Sequence, residues 1–240
     1  MTKDTSLGLK LHNASFGYKT GFIGTTWQKI ISDINLYVQP GQVCAIVGPN
    51  GCGKTTLLRG AIGLCHCLSG KILLNGREPR EFGIAYLAQQ NNILPWRKVI
   101  DEASSLLFMV SGKNKASRVS ARKMLRMLGY MDNENKRVHS LSGGQKQKVA
   151  LARTLLLAPY VELMAIDEPT NFLDMDTRSS ILSELPKLFE AVNCPILLTS
   201  HDEGLLNSLN TIPVSQLALG ESNLSPSSGQ KPSWNKVEDP

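Results

Sequence analysis

The sequence predicts an α/β fold: a mainly parallel β-sheet flanked by helices, with an antiparallel β portion at the N-terminus and an inserted helical subdomain. Three observations lead there. The apolar run Val43-Cys44-Ala45-Ile46-Val47 enters the glycine-rich stretch Gly48-Pro49-Asn50-Gly51-Cys52-Gly53-Lys54-Thr55 and then a helical pattern, the strand-loop-helix order from which parallel sheets are built. Further short apolar runs, Leu163-Met164-Ala165-Ile166 and Ile196-Leu197-Leu198-Thr199-Ser200, alternate with helical stretches, as buried parallel strands do. Between residues 91 and 140 the short-strand pattern gives way to helical spacing, which marks an insertion between two halves of a strand-rich core.

The elements follow in order. In residues 9–16, Leu9, Leu11 and Ala14 alternate loosely with Lys10, His12 and Asn13, which predicts an edge strand. Residues 19–29, with their glycines and threonines and with Phe22 and Trp27, read as a loop. Ile34, Leu36 and Val38 alternate with Asn35, Tyr37 and Gln39 before the Pro40-Gly41 turn, a half-buried strand. Leu57, Leu58, Ala61 and Ile62 share a helical face that Gly63 ends. Lys71-Ile72-Leu73-Leu74 running into Asn75-Gly76 signals a strand and a tight turn. Residues 84–87 form another short strand, closed by Gln89 and Gln90.

In the insertion, Val99, Ala103, Leu106 and Val110 share one face, as do Ala121, Met124, Leu125 and Leu128. A polar break over 111–117 separates the two helices, and Gly129 caps the second. Helices are expected at 145–157 and 176–191, the latter kinked by Pro186. After His201 the pattern thins: Ile212-Pro213-Val214 and Leu217-Ala218-Leu219 leave the end of the core open. From residue 220 Ser, Pro, Gly and Lys dominate, which predicts a disordered tail over 220–240. Residues 1–219 thus read as a single domain, its core about 1–90 and 141–219 and its helical subdomain about 91–140.

Composition narrows the class. The chain of 240 residues suffices for one good-sized core, and its 42% hydrophobic content is ordinary for a globular protein. No stretch reaches the roughly 20 apolar residues of a membrane span, and the charged N-terminus has no apolar signal segment, so a cytoplasmic location is expected. The five cysteines (Cys44, Cys52, Cys65, Cys67, Cys194) are an odd number scattered through core and loop, against a disulfide framework. Cys65-His66-Cys67 has no second ligand pair at suitable spacing, so it reads as an ordinary reduced segment rather than a metal site. The net charge of +6 suits nucleotide, nucleic acid or anionic lipid, but the basic residues are dispersed and do not choose among them.

Three motifs carry chemistry. Gly48 to Thr55 fits G-x-x-x-x-G-K-[ST]: the glycines let backbone N–H groups approach phosphates while the helix N-terminus adds partial positive charge. Lys54 would reach the β- and γ-phosphates and Thr55 would ligate Mg²⁺. A chance Gly-rich turn is the plain alternative, and the flanking strand and helix argue against it. Asp167-Glu168 at a strand end offers one carboxylate to position Mg²⁺ and one to polarise the attacking water, although alone it could simply cap a helix. Leu141-Ser142-Gly143-Gly144-Gln145 before a helix is a second anion-binding device, which by itself could be a cap and a flexible turn. Since the first loop already cradles one nucleotide's phosphates, the second points to another site.

Taken together and in this order, Gly48 to Thr55, Leu141 to Gln145, Asp167-Glu168-Pro169 and His201-Asp202 resemble the ATP-binding cassette of ABC proteins, over about residues 9–206. The resemblance implies a P-loop NTPase core that binds ATP and Mg²⁺ and hydrolyses ATP. It assigns Gly48, Pro49, Asn50, Gly51, Cys52, Gly53, Lys54, Thr55 and Thr56 to the phosphates and Tyr18 to adenine stacking, with Trp27 as a competitor for that role. Thr55, Gln89 and Asp167 match the Mg²⁺ ligands, and Gln89 also the contact with the lytic water and the sensor of the transport partner. Glu168 matches the catalytic base and His201 the switch histidine. Ser142, Gly143, Gly144 and Gln145 match the signature that meets the ATP of the opposite subunit, and Asp174 the loop crossing the interface. Lys148 stands where arginine is usual.

This implies a head-to-tail pair of cassettes, with itself or a sister subunit. The leading reading is the ATPase subunit of a membrane importer, peripheral on the inner face of the cell membrane, with separate permease subunits, a solute-binding protein and no nucleic acid. Ile93-Leu94-Pro95-Trp96 is similar to the corresponding stretch of the nitrate, sulfonate and taurine importer group. The rival is a soluble ABC ATPase of translation or DNA repair, since Asp167-Glu168-Pro169-Thr170-Asn171-Phe172-Leu173-Asp174 is similar to the translation-factor version. Those factors normally carry two cassettes in one chain, and the repair enzymes long coiled-coil insertions. A P-loop kinase would leave Ser142 to Gln145 and His201 without purpose.

Overall fold

The computed structural model describes residues 7–20, 26–171 and 173–219. The tail expected over 220–240 lies outside them. Two sheets organise the rest. In the first, β1 (Leu9–Thr20) pairs antiparallel with β2 (Thr26–Val38) on one side and β4 (His66–Leu74) on the other. The segment expected to be an edge strand is therefore the centre of its sheet. Its loose alternation has a physical cause: the register shifts against both neighbours between Leu11 and Phe16, and Asn13 sits at φ 45°. A bulge adds a residue to one strand, so the two-residue period slips within it.

The loop expected over 19–29 is shorter than read. Lys19 pairs with Trp27 and Thr20 with Thr26, because threonine and tryptophan suit a pleated ribbon. Residues 21–25, Phe22 among them, lie outside the described residues. Asn75 (φ 51°) and Gly76 (φ 79°) make the tight turn that Asn-Gly announced.

The second sheet is parallel throughout, in the order β5 (Ile84–Leu87), β6 (Leu163–Asp167), β7 (Ile196–Thr199), β3 (Val43–Val47), β8 (Val214–Ala218). Its inner strands are covered on both faces. Val43, Met164, Ile166, Ile196 and Leu198 face a core shared with the helical insertion, while Cys44, Ile46, Leu163, Ala165 and Leu197 face a core shared with the antiparallel sheet. Continuous apolar runs are the consequence. The end of the core, left open above, closes with β8, whose residues are half-buried or exposed. An edge strand buries too little to leave a strong apolar signal.

The helices hold the sheets. α1 (Lys54–Ala61) packs so closely on β1 that a Cβ on Gly60 would lie 2.3 Å from the Phe16 ring. In the insertion, α2 (Val99–Ser111) and α3 (Asn114–Met127) are parted only by Gly112 and Lys113, not by the whole of 111–117. Gly112, at φ 68°, ends α2, and the buried Ser117 already belongs to α3. The buried stripe of α2 is Val99, Ile100, Ala103, Ser104 and Leu107; Val110 is exposed. Two buried polar residues, Glu102 and Ser104, blur that stripe in the sequence. α4 (Gly143–Leu155) begins two residues before the expected start, and α5 (Met175–Glu190) continues as one helix through the buried Pro186. α6 (Glu203–Ser208) follows β7.

Candidate functional site

The loop between β3 and α1 owes its shape to glycine. Gly48 (φ 151°) and Gly53 (φ 94°) occupy backbone regions that other residues rarely adopt, and neither has room for a side chain. A Cβ would fall 2.5 Å from the Leu219 carbonyl oxygen at Gly48 and 2.7 Å from Ile31 Cδ1 at Gly53. The loop folds around Lys54, whose Nζ donates to the carbonyls of Gly48 (2.9 Å) and Pro49 (3.1 Å) and stands 3.5 Å from Glu168 Oε1. Cys52 is buried in the core beneath the loop.

Above the carboxyl ends of the parallel strands lies a cleft of about 450 Å³. Tyr18, Asn50, Gly51, Gly53, Lys54, Thr55, Thr56, Gln89, Glu168 and His201 all line it, so most of the residues singled out in the sequence converge there. Ile30 and Asn171 line it as well and were not singled out. Asn171 follows the acidic pair by three residues, its N–H bonded to the Glu168 carbonyl, a signal that the sequence did contain. Nothing in the alternation of β2 distinguishes Ile30.

Two carboxylates meet here in different environments. Asp167 Oδ1 accepts from the Thr55 hydroxyl at 3.0 Å and the Thr199 hydroxyl at 2.7 Å. Its Oδ2 is buried with no hydrogen-bond partner among the described residues, and burial pushes the carboxyl pKa up. A buried carboxylate oxygen without a hydrogen-bond partner among the described residues, on a carboxylate bonded to the Thr55 hydroxyl, is an oxygen donor set suited to a hard divalent cation. Glu168 sits at φ 51°, a strained conformation for a residue with a side chain, held by its N–H donating to the carbonyl and hydroxyl of Thr199. Its Oε2 is 2.8 Å from His201 Nδ1. The carboxylate is thus fixed between the Lys54 ammonium and the His201 ring.

Tyr18 stands at the mouth of the cleft, its hydroxyl 3.5 Å from Thr56 Oγ1 and its ring partly exposed. Trp27 does not line the cleft. It pairs with Lys19, one step from the Tyr18–Gln28 pair, so it leaves the opposite face of the ribbon and packs 4.6 Å from the His66 ring. Cys65 is buried with its thiol donating to the Gly17 carbonyl, and Cys67 is exposed.

The signature turn lies elsewhere and does not line the cleft. Ser142 caps α4: its hydroxyl accepts from Gln145 N–H at 3.2 Å, and the Gln145 side chain accepts from Ser142 N–H at 3.1 Å. The serine proton remains free to be donated outward. A Cβ on Gly143 would meet nothing within 4 Å, whereas one on Gly144 would lie 2.8 Å from Thr177 Oγ1 and 3.1 Å from Asp174 Oδ2. Asp174 caps α5 by accepting from Thr177 N–H, which together with the Thr177 side chain lowers its pKa.

Among the described residues, no helix is long and apolar enough to cross a membrane. A model of the ABC transporter family matches residues 31–171. The aliphatic sulfonates import ATP-binding protein SsuB of Zymomonas mobilis is 35% identical over 72% of this chain and 70% of its own length. The taurine import ATP-binding protein TauB of Escherichia coli O157:H7 is 36% identical over 72% of this chain and 68% of its own. The chain therefore spans about two thirds of the length of these curated relatives. In structure, the ATP-binding cassette MJ0796, a post-hydrolysis dimer bound to ADP and phosphate, superposes with a TM-score of 0.71 at 26% identity, covering 88% of this chain and 96% of that one. The chain belongs to the ABC transporter family and is an ATP-binding cassette ATPase.

Proposed function

We propose that this cassette powers import of a small solute through separate membrane subunits, hydrolysing ATP in the cleft above the carboxyl ends of β3, β6 and β7. ATP enters with its adenine on the Tyr18 ring and its phosphates over residues 48–56. Thr55, Asp167 and Gln89 would hold Mg²⁺, which supplies charge neutralisation at the β- and γ-phosphates. Glu168 takes the proton of the attacking water while the water oxygen bonds to the γ-phosphorus and the bond to the β-phosphate bridging oxygen breaks. Lys54 and His201 flank that carboxylate and offer cationic or N–H contacts to the γ-phosphoryl oxygens. Ser142, Gly143 and Gly144 of a second copy or a sister subunit close the site from outside, which expels water from it.

One observation carries this reading: Glu168 is held in a strained backbone conformation with Lys54 at one carboxylate oxygen and His201 at the other. The names of the relatives, import ATP-binding proteins for aliphatic sulfonates and for taurine, support a sulfonate-type solute, and permease partners, a solute-binding protein and a seat on the inner face of the membrane belong to the same proposal. The exposed Trp96, Phe108 and Met109, which line one surface groove of the helical insertion, offer the permease an apolar seat. Glu168→Gln tests the reading. The variant should bind ATP with unchanged affinity, lose at least about 100-fold in kcat and accumulate as an ATP-bound dimer. Wild-type turnover would place the base elsewhere.

A further inference from the structure

Five buried side-chain polar atoms lack a hydrogen-bond partner among the described residues, and three fall in one cluster: Asn91 Oδ1, Glu102 Oε2 and Arg153 Nε. Arg153 is on α4, the helix that begins at the signature turn. Its Nη2 donates to the Asn91 carbonyl at 3.0 Å and its Nη1 to the Asn92 carbonyl at 3.0 Å. Its Nη1 also donates to Glu102 Oε1 at 2.5 Å, and Glu102 on α2 is 1% exposed. Asn92 is bent into φ 44°, which turns two successive carbonyls toward one guanidinium. These carbonyls lie two and three residues beyond Gln89, which lines the cleft.

We infer that Arg153, oriented by Glu102, is a positioning residue for Gln89: it clamps the segment after Gln89 to α4, so that Gln89 and the signature turn move as one unit. Two features support a moving clamp over a static brace. A buried ion pair costs desolvation that a well-packed apolar pair avoids, so its net contribution to stability is small. Glu102, whose Oε2 also stands 3.7 Å from Arg97 Nη1, fixes the guanidinium against both carbonyls, so the segment after Gln89 shifts only together with α4. The inference rests on the reading that Gln89 touches the reacting groups.

The test is a mutant cycle on the full chain, with kcat and KM for ATP measured at saturating magnesium. Arg153→Met should lower kcat about tenfold with KM changed less than about twofold, the pattern of a contact that matters after binding. Arg153→Lys, which keeps the charge but cannot reach all three acceptors, should fall between, and it supplies the same cycle if the methionine variant does not fold. If Arg153 acts through Gln89, the double variant Gln89→Ala with Arg153→Met should be no slower than Gln89→Ala alone. Losses that multiply across the two positions, or wild-type kcat in both Arg153 variants, would overturn the clamp while leaving Gln89 in place. Unchanged kcat in Gln89→Ala would overturn the role of Gln89 and the clamp with it.

Discussion

At the scale of single residues, the loop before α1 shows how steric closure protects a site. Gly53 combines φ 94° with a Cβ position only 2.7 Å from Ile31, so Gly53→Ala should lose about 1–3 kcal/mol of stability as well as ATP affinity, read by urea denaturation and nucleotide titration. Asp202 makes a second case. The Arg178 guanidinium bonds its carboxylate at 2.8 Å and holds its pKa at about 2, against the opposing effect of burial. A depressed carboxylate pKa stabilises the fold above the unfolded value of about 4, and that contribution is lost as pH falls toward 2. Arg178→Ala should therefore destabilise the fold at pH 7, with the gap to wild type closing as pH falls through about 2, read by urea denaturation across pH. Chemistry-bearing residues were legible in the sequence because each motif demands a residue type at a fixed offset: Lys54 after its glycines, Glu168 after its strand. Ile30 was not, since a partly buried isoleucine in a strand looks the same whether it faces a core or a cleft. The strain at Glu168 was also hidden, because it comes from Thr199 across the sheet.

At the scale of elements, legibility followed how completely each one is buried. β3, β6 and β7 are covered on both faces and read as unbroken apolar runs, and their helices followed from spacing. β1 misled because its bulge breaks the alternation, and β8 because an edge strand needs few apolar residues. α2 misled because Glu102 and Ser104 are buried polar members of its inner stripe. α4 and α5 give the element-scale prediction. Gly144 lets the first turn of α4 touch Thr177 and Asp174 at the start of α5, and Gln147 donates to the Pro169 carbonyl at 2.7 Å, so the two helix starts are packed as a pair. Gly144→Ala should push them apart and lower the thermal midpoint by several degrees. Gly143→Ala, adding a methyl into open space, should leave the midpoint unchanged or slightly raised. If the outer face of that turn seats against another copy's nucleotide, Gly143→Ala should still reduce ATPase activity; full activity would remove Gly143 from any such contact.

At the scale of the whole molecule, the separation of the signature turn from the cleft is the decisive feature. Ser142 and Gly143 face outward with room beside them, while Tyr18, Asn50, Gly51, Gly53, Lys54, Thr55, Thr56, Gln89, Glu168 and His201 line one cavity within the chain. One copy therefore holds a cradle and a seal that cannot serve the same nucleotide, and two copies placed head to tail would complete two sites. Mixing inactive variants tests this directly. Lys54→Ala removes the cradle's cation and Ser142→Arg blocks the seal, so each homodimer should be inactive. A dimer with one chain of each kind joins the intact cradle of the second to the intact seal of the first, leaving one working site of two. An equal mixture that exchanges freely forms such dimers in about half of its pairs, so activity should recover to about a quarter of wild type. If both variants stay folded and the mixture remains inactive, each site is built within a single chain and the outward signature turn has another purpose.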